Sequence, residues 1–260
     1  MERVTPTPKP DHELSTGARP VGVTTEESAA QNVQQMFDTI APTYDKANHI
    51  LSVGLDRWMW WRAARACRPI LQQPEAVTLD LCCGTGDLTL ALLRHRPKTS
   101  GAAPILAVDF SHQMLSRGAV KFRPHNIIPI EADALHLPIA SNSIDLVTAA
   151  FGFRNLANYE EGLAELHRIL KPGGEIGILE CNQPEGIIGS LYNLYFKGIL
   201  PKVGGLISGD FSAYRYLPAS VERFPRPPRM LQLIRDAGYS NASWTSYALG
   251  TAGLYRATKA

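Results

Sequence analysis

Cysteine pairs, an excess of charge and an uninterrupted apolar span are all missing from this chain. Its four cysteines, Cys67, Cys82, Cys83 and Cys181, form no C-x-x-C pair, and the adjacent Cys82 and Cys83 are poor partners for each other. That excludes a disulfide-stapled fold and a zinc site of familiar spacing, so no metal is expected. With 26 Lys and Arg against 24 Asp and Glu, the formal net charge is +2, too small a footprint for a polyanion, and no nucleic acid partner is expected. The most apolar stretch, residues 184–210, is interrupted by Lys197, Pro201, Lys202 and repeated glycines, which rules out a membrane span. Residues 1–27 are polar and rich in Pro and Thr, with no secretory core. They read as a disordered extension of a reduced, cytoplasmic protein.

What the chain does have is periodicity. Val33, Met36, Phe37 and Ile40 share one face of a helix closed by Pro42, and Trp58 and Trp61 recur at helical spacing before Pro69. Residues 28–75 therefore read as a helical cap. Three tryptophans within four residues, Trp58, Trp60 and Trp61, cannot all face one core, so some are expected either to wedge against the main domain or to line an apolar cavity. From Val77 onward, short β-rich runs ("VTLDL", "ILAVDF", "NIIPIEAD", "SIDLVTAAF", "EIGILEC") alternate with helical patterns. That alternation predicts an α/β domain, a mostly parallel sheet with helices on both faces. "LKPGGE" reads as a helix stop and turn, residues 186–230 as an amphipathic insertion on the substrate side, and the C-terminal residues as a hairpin at the sheet edge.

Ligands of such sheets bind outside the carboxyl ends of the strands. The first strand runs into "LDLCCGTGDLT", where Gly84 and Gly86 let the backbone approach a ligand. A dinucleotide fingerprint wants a third glycine where this chain has Thr89, and Asp80 ahead of the loop would repel a pyrophosphate. A ligand with an ammonium and a sulfonium suits it better, which points to S-adenosyl-L-methionine over a nicotinamide cofactor. Asp109, 23 residues past Gly86, can accept both ribose hydroxyls, while Asp133 can accept from the adenine amino group and the Ala134 amide can donate to a ring nitrogen. Arg154, just past the fourth strand, either meets an anion or points to water.

"LDLCCGTGDLT", "AFGFRN", "RILKPGGEIGILE", the spaced Tyr44, Asp45, Asn48, Leu51, Ser52, Gly54, Asp56 and Arg57, and "YRYLPASVERFP" together resemble the ubiquinone/menaquinone biosynthesis C-methyltransferases. The likeness runs from about Val33 to the last strand. It implies a class I Rossmann-like methyltransferase of seven strands with an antiparallel last strand. It further implies that Gly84, Thr85 and Gly86 form the cofactor loop, that Asp109 holds the ribose, that Asp133 and Ala134 border the adenine, and that Tyr44 and Arg154 stand beside a quinol. The implied reaction converts demethylmenaquinol to menaquinol. The alternatives are a polyprenyl benzoquinol of ubiquinone biosynthesis or another hydrophobic acceptor. A polyprenylated quinol substrate, peripheral contact with the inner face of the membrane and a possible homodimer belong to the same expectation. Two departures stand out: "LECNQP" where relatives often have Phe-Ser after the Glu, and Ala150 where some have Ser.

Methylating a quinol carbon needs the neighbouring hydroxyl near its phenolate form, and a free phenol titrates at roughly 10. A fixed cation is the economical remedy, so Arg154 is expected to stabilise the oxyanion rather than act as a base. Tyr44 is expected to bond the other hydroxyl or a water. Trp58, Trp61, Tyr192, Tyr195 and Phe196 are expected either to line a groove for the isoprenoid tail or to pack in the core. His49, His112 and His136 form no cluster in the sequence.

Overall fold

A computed structural model describes residues 16–260 apart from 21, 53, 99–100 and 209–210. The chain opens with α1 (Glu26–Ile40), α2 (Tyr44–Leu51), α3 (Leu55–Ala66) and the short α4 (Arg68–Leu71). It then alternates through β1 (Thr78–Leu81), α5 (Asp87–Leu93), β2 (Ile105–Asp109), α6 (His112–Phe122), β3 (Ile127–Glu131), β4 (Ile144–Ala150), α7 (Tyr159–Ile169) and β5 (Leu170–Cys181). α8 (Gly186–Asn193), a π-helical turn (Leu194–Ile199), α9 (Leu200–Ser208), α10 (Phe211–Arg223) and α11 (Pro227–Asp236) follow, and β6 (Tyr239–Tyr247) and β7 (Ala252–Lys259) end the chain.

The seven strands lie in the order β3-β2-β1-β4-β5-β7-β6. β1 pairs in parallel with both β2 and β4, whereas β7 is antiparallel to β5 and β6. The terminal hairpin thus does not simply extend the edge: its last strand inserts between β5 and β6. All four residues of β1 are buried, as a central strand covered on both faces requires. Strand order reverses between β1 and β4, and the crevice there is where this topology places a ligand.

One core packs α7 and α11 against β1, β4 and β7; a second packs α3 and α5 against the opposite face; a third joins α1 and α2 to α9 and α10. The N-terminal helices therefore divide: α3 covers the sheet, while α1 and α2 lie with α9 and α10. The "KPGG" turn also differs from expectation. Leu170 takes extended angles directly after α7, and Ile144 pairs with Leu170 while Leu146 pairs with Glu175. Lys171–Gly174 therefore bulge within β5, with Gly173 at φ +79°.

Part of the expected N-terminal disorder, residues 1–15, lies outside the described residues. Thr16–Pro20, within the same expectation, are fastened to the entry of α7. The Thr16 carbonyl accepts from the Tyr159 amide at 2.8 Å, the Ala18 amide donates to the Leu156 carbonyl at 2.8 Å, and an Arg19 guanidinium N–H donates to the Ala157 carbonyl at 2.8 Å. A Cβ on Gly17 would sit 2.0 Å from that same carbonyl oxygen. Open backbone groups, which apolar content does not announce, hold this segment.

Candidate active site

The carboxyl ends of β1 and β4 meet at a tight contact. A Cβ on Gly152 would lie 2.3 Å from the Cys82 Cβ. Cys82 (φ 51°) and Phe151 (φ 58°) both adopt left-handed backbone conformations here, strained for side chains of their size. Three compartments run along the strand ends from here, and Cys82 borders all of them.

The first, a narrow one, is lined by Asp109, Asp133, Ala134 and Gly152, with Ala30 of α1 as a wall. The second, also narrow, joins Asp109 and Gly84 to Tyr44 and Phe151. The third is a cleft of about 470 Å³ that holds Gly84, Thr85 and Tyr44 together with Arg154, Tyr192, Tyr195 and Phe196. Of the residues singled out in the sequence, Gly86 borders none of the three. It sits at φ +89°, with its Cα hydrogens against the Phe122 ring, and shapes the loop instead.

Asp109 is buried. Its Oδ2 accepts the Gly84 amide at 2.7 Å and its Oδ1 the Ser111 amide at 2.9 Å. Burial pushes its carboxyl up to about 6 against those two hydrogen bonds. A carboxylate offers about four acceptor sites, so room remains for two further donors such as a vicinal diol. A Cβ on Gly84 would meet nothing within 4 Å, so the loop backbone faces open space. Asp133 accepts the Leu135 amide at 3.0 Å and is half exposed. These donor and acceptor sets fit a nucleoside with its ribose at Asp109 and its base toward Asp133 and Ala134.

Asp80 borders the cleft, with its carboxyl bonded within the protein. Both oxygens are capped inside the protein, Oδ2 by the Thr89 hydroxyl at 2.6 Å and Oδ1 by the Thr148 hydroxyl at 2.9 Å. Full burial raises it to about 7. The residue standing in place of a third glycine is thus a hydrogen-bond partner for the acid. The Thr85 hydroxyl donates to Asp45 of α2 at 2.5 Å, and Lys121 bridges Asp45 at 2.9 Å and Asp87 at 3.3 Å. This lattice locks α2 over the glycine loop. Asp87 is the first residue of α5, and Gly86 precedes it at the cap position.

Arg154 is buried, in a 3₁₀ turn (Phe153–Asn155) beyond β4. Its Nη1 donates to Glu180 Oε1 at 2.8 Å and to the Phe151 carbonyl, its Nε donates to the Ser220 hydroxyl at 3.3 Å, and its amide donates to Glu180 Oε2 at 3.1 Å. Glu180, wholly buried at the end of β5, is the internal anion that sequence reasoning did not assign; an acid closing an otherwise apolar strand was the available signal. Burial disfavours the guanidinium, but the Glu180 carboxylate outweighs it and holds the arginine above its ordinary value. Nη2 has no hydrogen bond to the chain among the described residues.

Tyr44 stacks edge-on to Phe37 at 6.1 Å. Burial raises its hydroxyl above the ordinary phenol value, with Asn48 and Arg154 opposing. Tyr192 and Phe196 stack at 4.6 Å, and the Tyr195 hydroxyl donates to the Leu51 carbonyl at 2.7 Å, pinning the π-helical turn to α2. Among the tryptophans it is Trp60 that borders the cleft. Trp58 and Trp61 lie outside it, because α3 turns their rings to the surface. His49, His112 and His136 each meet a different carboxylate, and no cluster of three metal-ligating side chains occurs among the described residues.

A seven-stranded sheet of this order, with a glycine turn after β1 and an acid closing β2, defines a class I S-adenosylmethionine-dependent methyltransferase. The fold agrees with a solved S-adenosylmethionine-dependent methyltransferase from Thermotoga maritima, at a TM-score of 0.61 and 17% identity over 88% of this chain and 100% of that one. The chain belongs to the ubiE/COQ5 methyltransferase family, whose profile matches residues 25–259. It is 41% identical to a demethylmenaquinone methyltransferase of Deinococcus radiodurans, over 91% of this chain and 95% of that protein. It is 45% identical to a demethylmenaquinone methyltransferase of Thermus thermophilus, over 79% and 91%.

Proposed function

We propose that the protein is an S-adenosylmethionine-dependent C-methyltransferase that converts demethylmenaquinol to menaquinol. The observation that carries this reading is the cleft itself. A glycine loop and the buried acid Asp109 run into an aromatic chamber whose one buried cation, Arg154, is held in place by Glu180. S-adenosylmethionine, when bound, supplies the methyl group as an electrophile. Gly84, Thr85 and Gly86 form its loop, Asp109 takes the ribose, and Asp133 and Ala134 border the adenine.

The chain's own residues do the rest. The ring carbon gains a methyl group and loses a proton, and it is nucleophilic only while the adjacent oxygen carries negative charge. Arg154 lines the chamber, and a buried guanidinium donor stabilises that oxyanion far more than water does. It stays protonated, so it positions and stabilises; a bound water or the solvent takes the proton. Tyr44, which borders the same cleft as Arg154, bonds the second hydroxyl or orders that water. Tyr192 and Phe196 offer stacked faces to an aromatic ring. No helix among the described residues is long and apolar enough to cross a membrane. A polyprenylated acceptor, which itself resides in lipid, is met by peripheral contact with the inner membrane face.

Parallel assays with labelled cofactor test the reading, one with a reduced demethylnaphthoquinol and one with a polyprenyl benzoquinol. Label is expected on the naphthoquinol ring. Label on the benzoquinol alone, or on neither, contradicts it.

A further inference from the structure

Large apolar side chains on a soluble surface are normally scattered. Here nine of the eleven exposed among the described residues, all but Val120 and Ile128, sit on α2, α3, the α8–α9 run and the β6–β7 turn. These are the elements that wall the cleft. Two of them stand at its mouth. Leu55 borders the cleft and is 50% exposed, and Leu249, 78% exposed, follows the cleft residue Ala248.

α3 adds charge of one sign. Its outer face carries Leu55, Trp58 and Trp61 among Arg57, Arg62 and Arg65, while its only acid, Asp56, is turned inward onto His49 Nδ1 at 2.6 Å. Arg62 lies 5.6 Å from the Trp58 ring and 5.3 Å from that of Tyr247, and Arg65 lies 5.2 Å from the ring of Trp61. None of the three arginines has a carboxylate partner among the described residues. Indole rings flanked by arginines that keep their charge are the composition of a helix lying in the headgroup region of an anionic membrane.

We propose that α3 and the β6–β7 turn dock the protein on an anionic bilayer, with the mouth at Leu55 and Ala248 facing lipid. The proposal rests on the polyprenylated quinol reading and deepens it: the ring enters the chamber while the isoprenoid tail stays in the hydrocarbon. A second copy of the chain fits this face poorly, because a two-fold contact would set the arginines against one another.

The test sediments the full chain at low salt with phosphatidylcholine vesicles, with and without about one third phosphatidylglycerol. Binding is expected only with the anionic lipid and is expected to fall as salt rises. Trp58→Ser/Trp61→Ser/Leu249→Ser should weaken it on the order of ten-fold or more, whereas Val120→Ser/Ile128→Ser should not. The triple variant should methylate a short, tail-free quinol at the normal rate and a long-tailed quinol in vesicles more slowly. Should its circular dichroism show misfolding, Arg57→Glu/Arg65→Glu carries the same comparison. Absence of binding by the unaltered protein, or full binding by the variants, overturns the proposal. Vesicle binding without methylation of either quinol would instead count against the functional reading alone.

Discussion

Arg154 and Asp109 illustrate two ways of keeping a charge inside a protein. Arg154 has a full partner in Glu180, with three hydrogen bonds between the two residues and their neighbours' backbone satisfying the acid. A pair so bonded offsets much of its desolvation cost. Asp109 has only amide donors, and burial lifts it from 3.8 to about 6. The sign follows directly: the unfolded chain gives up this proton first, so Asp109 erodes stability as pH rises from about 4 to 6. Cofactor affinity runs the other way, because only the ionised form accepts from two hydroxyls. Calorimetric titration with S-adenosylmethionine should show affinity rising roughly ten-fold between about pH 5 and 7, and Asp109→Asn should bind weakly with that rise abolished. A pH-independent affinity in the unaltered protein would remove the ribose role from Asp109.

The glycine turn between β1 and α5 is sensitive to a single atom. Gly86 combines φ +89° with a Cβ position 2.2 Å from the Phe122 ring, so alanine must both strain the backbone and displace a buried aromatic side chain. Gly86→Ala is expected to cost about 2 kcal/mol or more in urea unfolding and to weaken cofactor binding. Unchanged stability would mean that the loop tolerates another conformation. This turn was legible in the sequence because glycine spacing after a β-rich run has a direct conformational meaning, as were the strands, whose apolar runs reflect burial on both faces. The tryptophan helix was not. Spacing shows that Trp58, Trp60 and Trp61 diverge, but not which of them faces the cleft, since that depends on how α3 packs against α5. Glu180 was only half legible: an acid closing the apolar run "EIGIL" stands out, but its partner is not visible until β5 is laid beside β4 and brings it to Arg154. Thr16–Pro20 stayed hidden because hydrogen bonds to open backbone carbonyls and amides, together with polar side chains, hold them rather than apolar burial.

Taken whole, the molecule joins a rigid sheet to a helical cover. The sheet fixes Asp109, Asp133 and the Cys82–Gly152 contact along one edge, while α1, α2, α9 and α10 share a separate core above it. Asp45, Thr85 and Lys121 tie the two parts together. The chamber is therefore walled by elements far apart in sequence, with apolar and cationic groups on the same elements. The most direct measurement is single-turnover transfer of labelled methyl to demethylnaphthoquinol by an Arg154→Met/Glu180→Gln variant, in which no buried charge is left unpaired. The expected result is a folded protein with unchanged cofactor affinity and a transfer rate lower by on the order of 10²-fold or more; a rate within a few-fold of the unaltered enzyme would contradict the role of the buried cation.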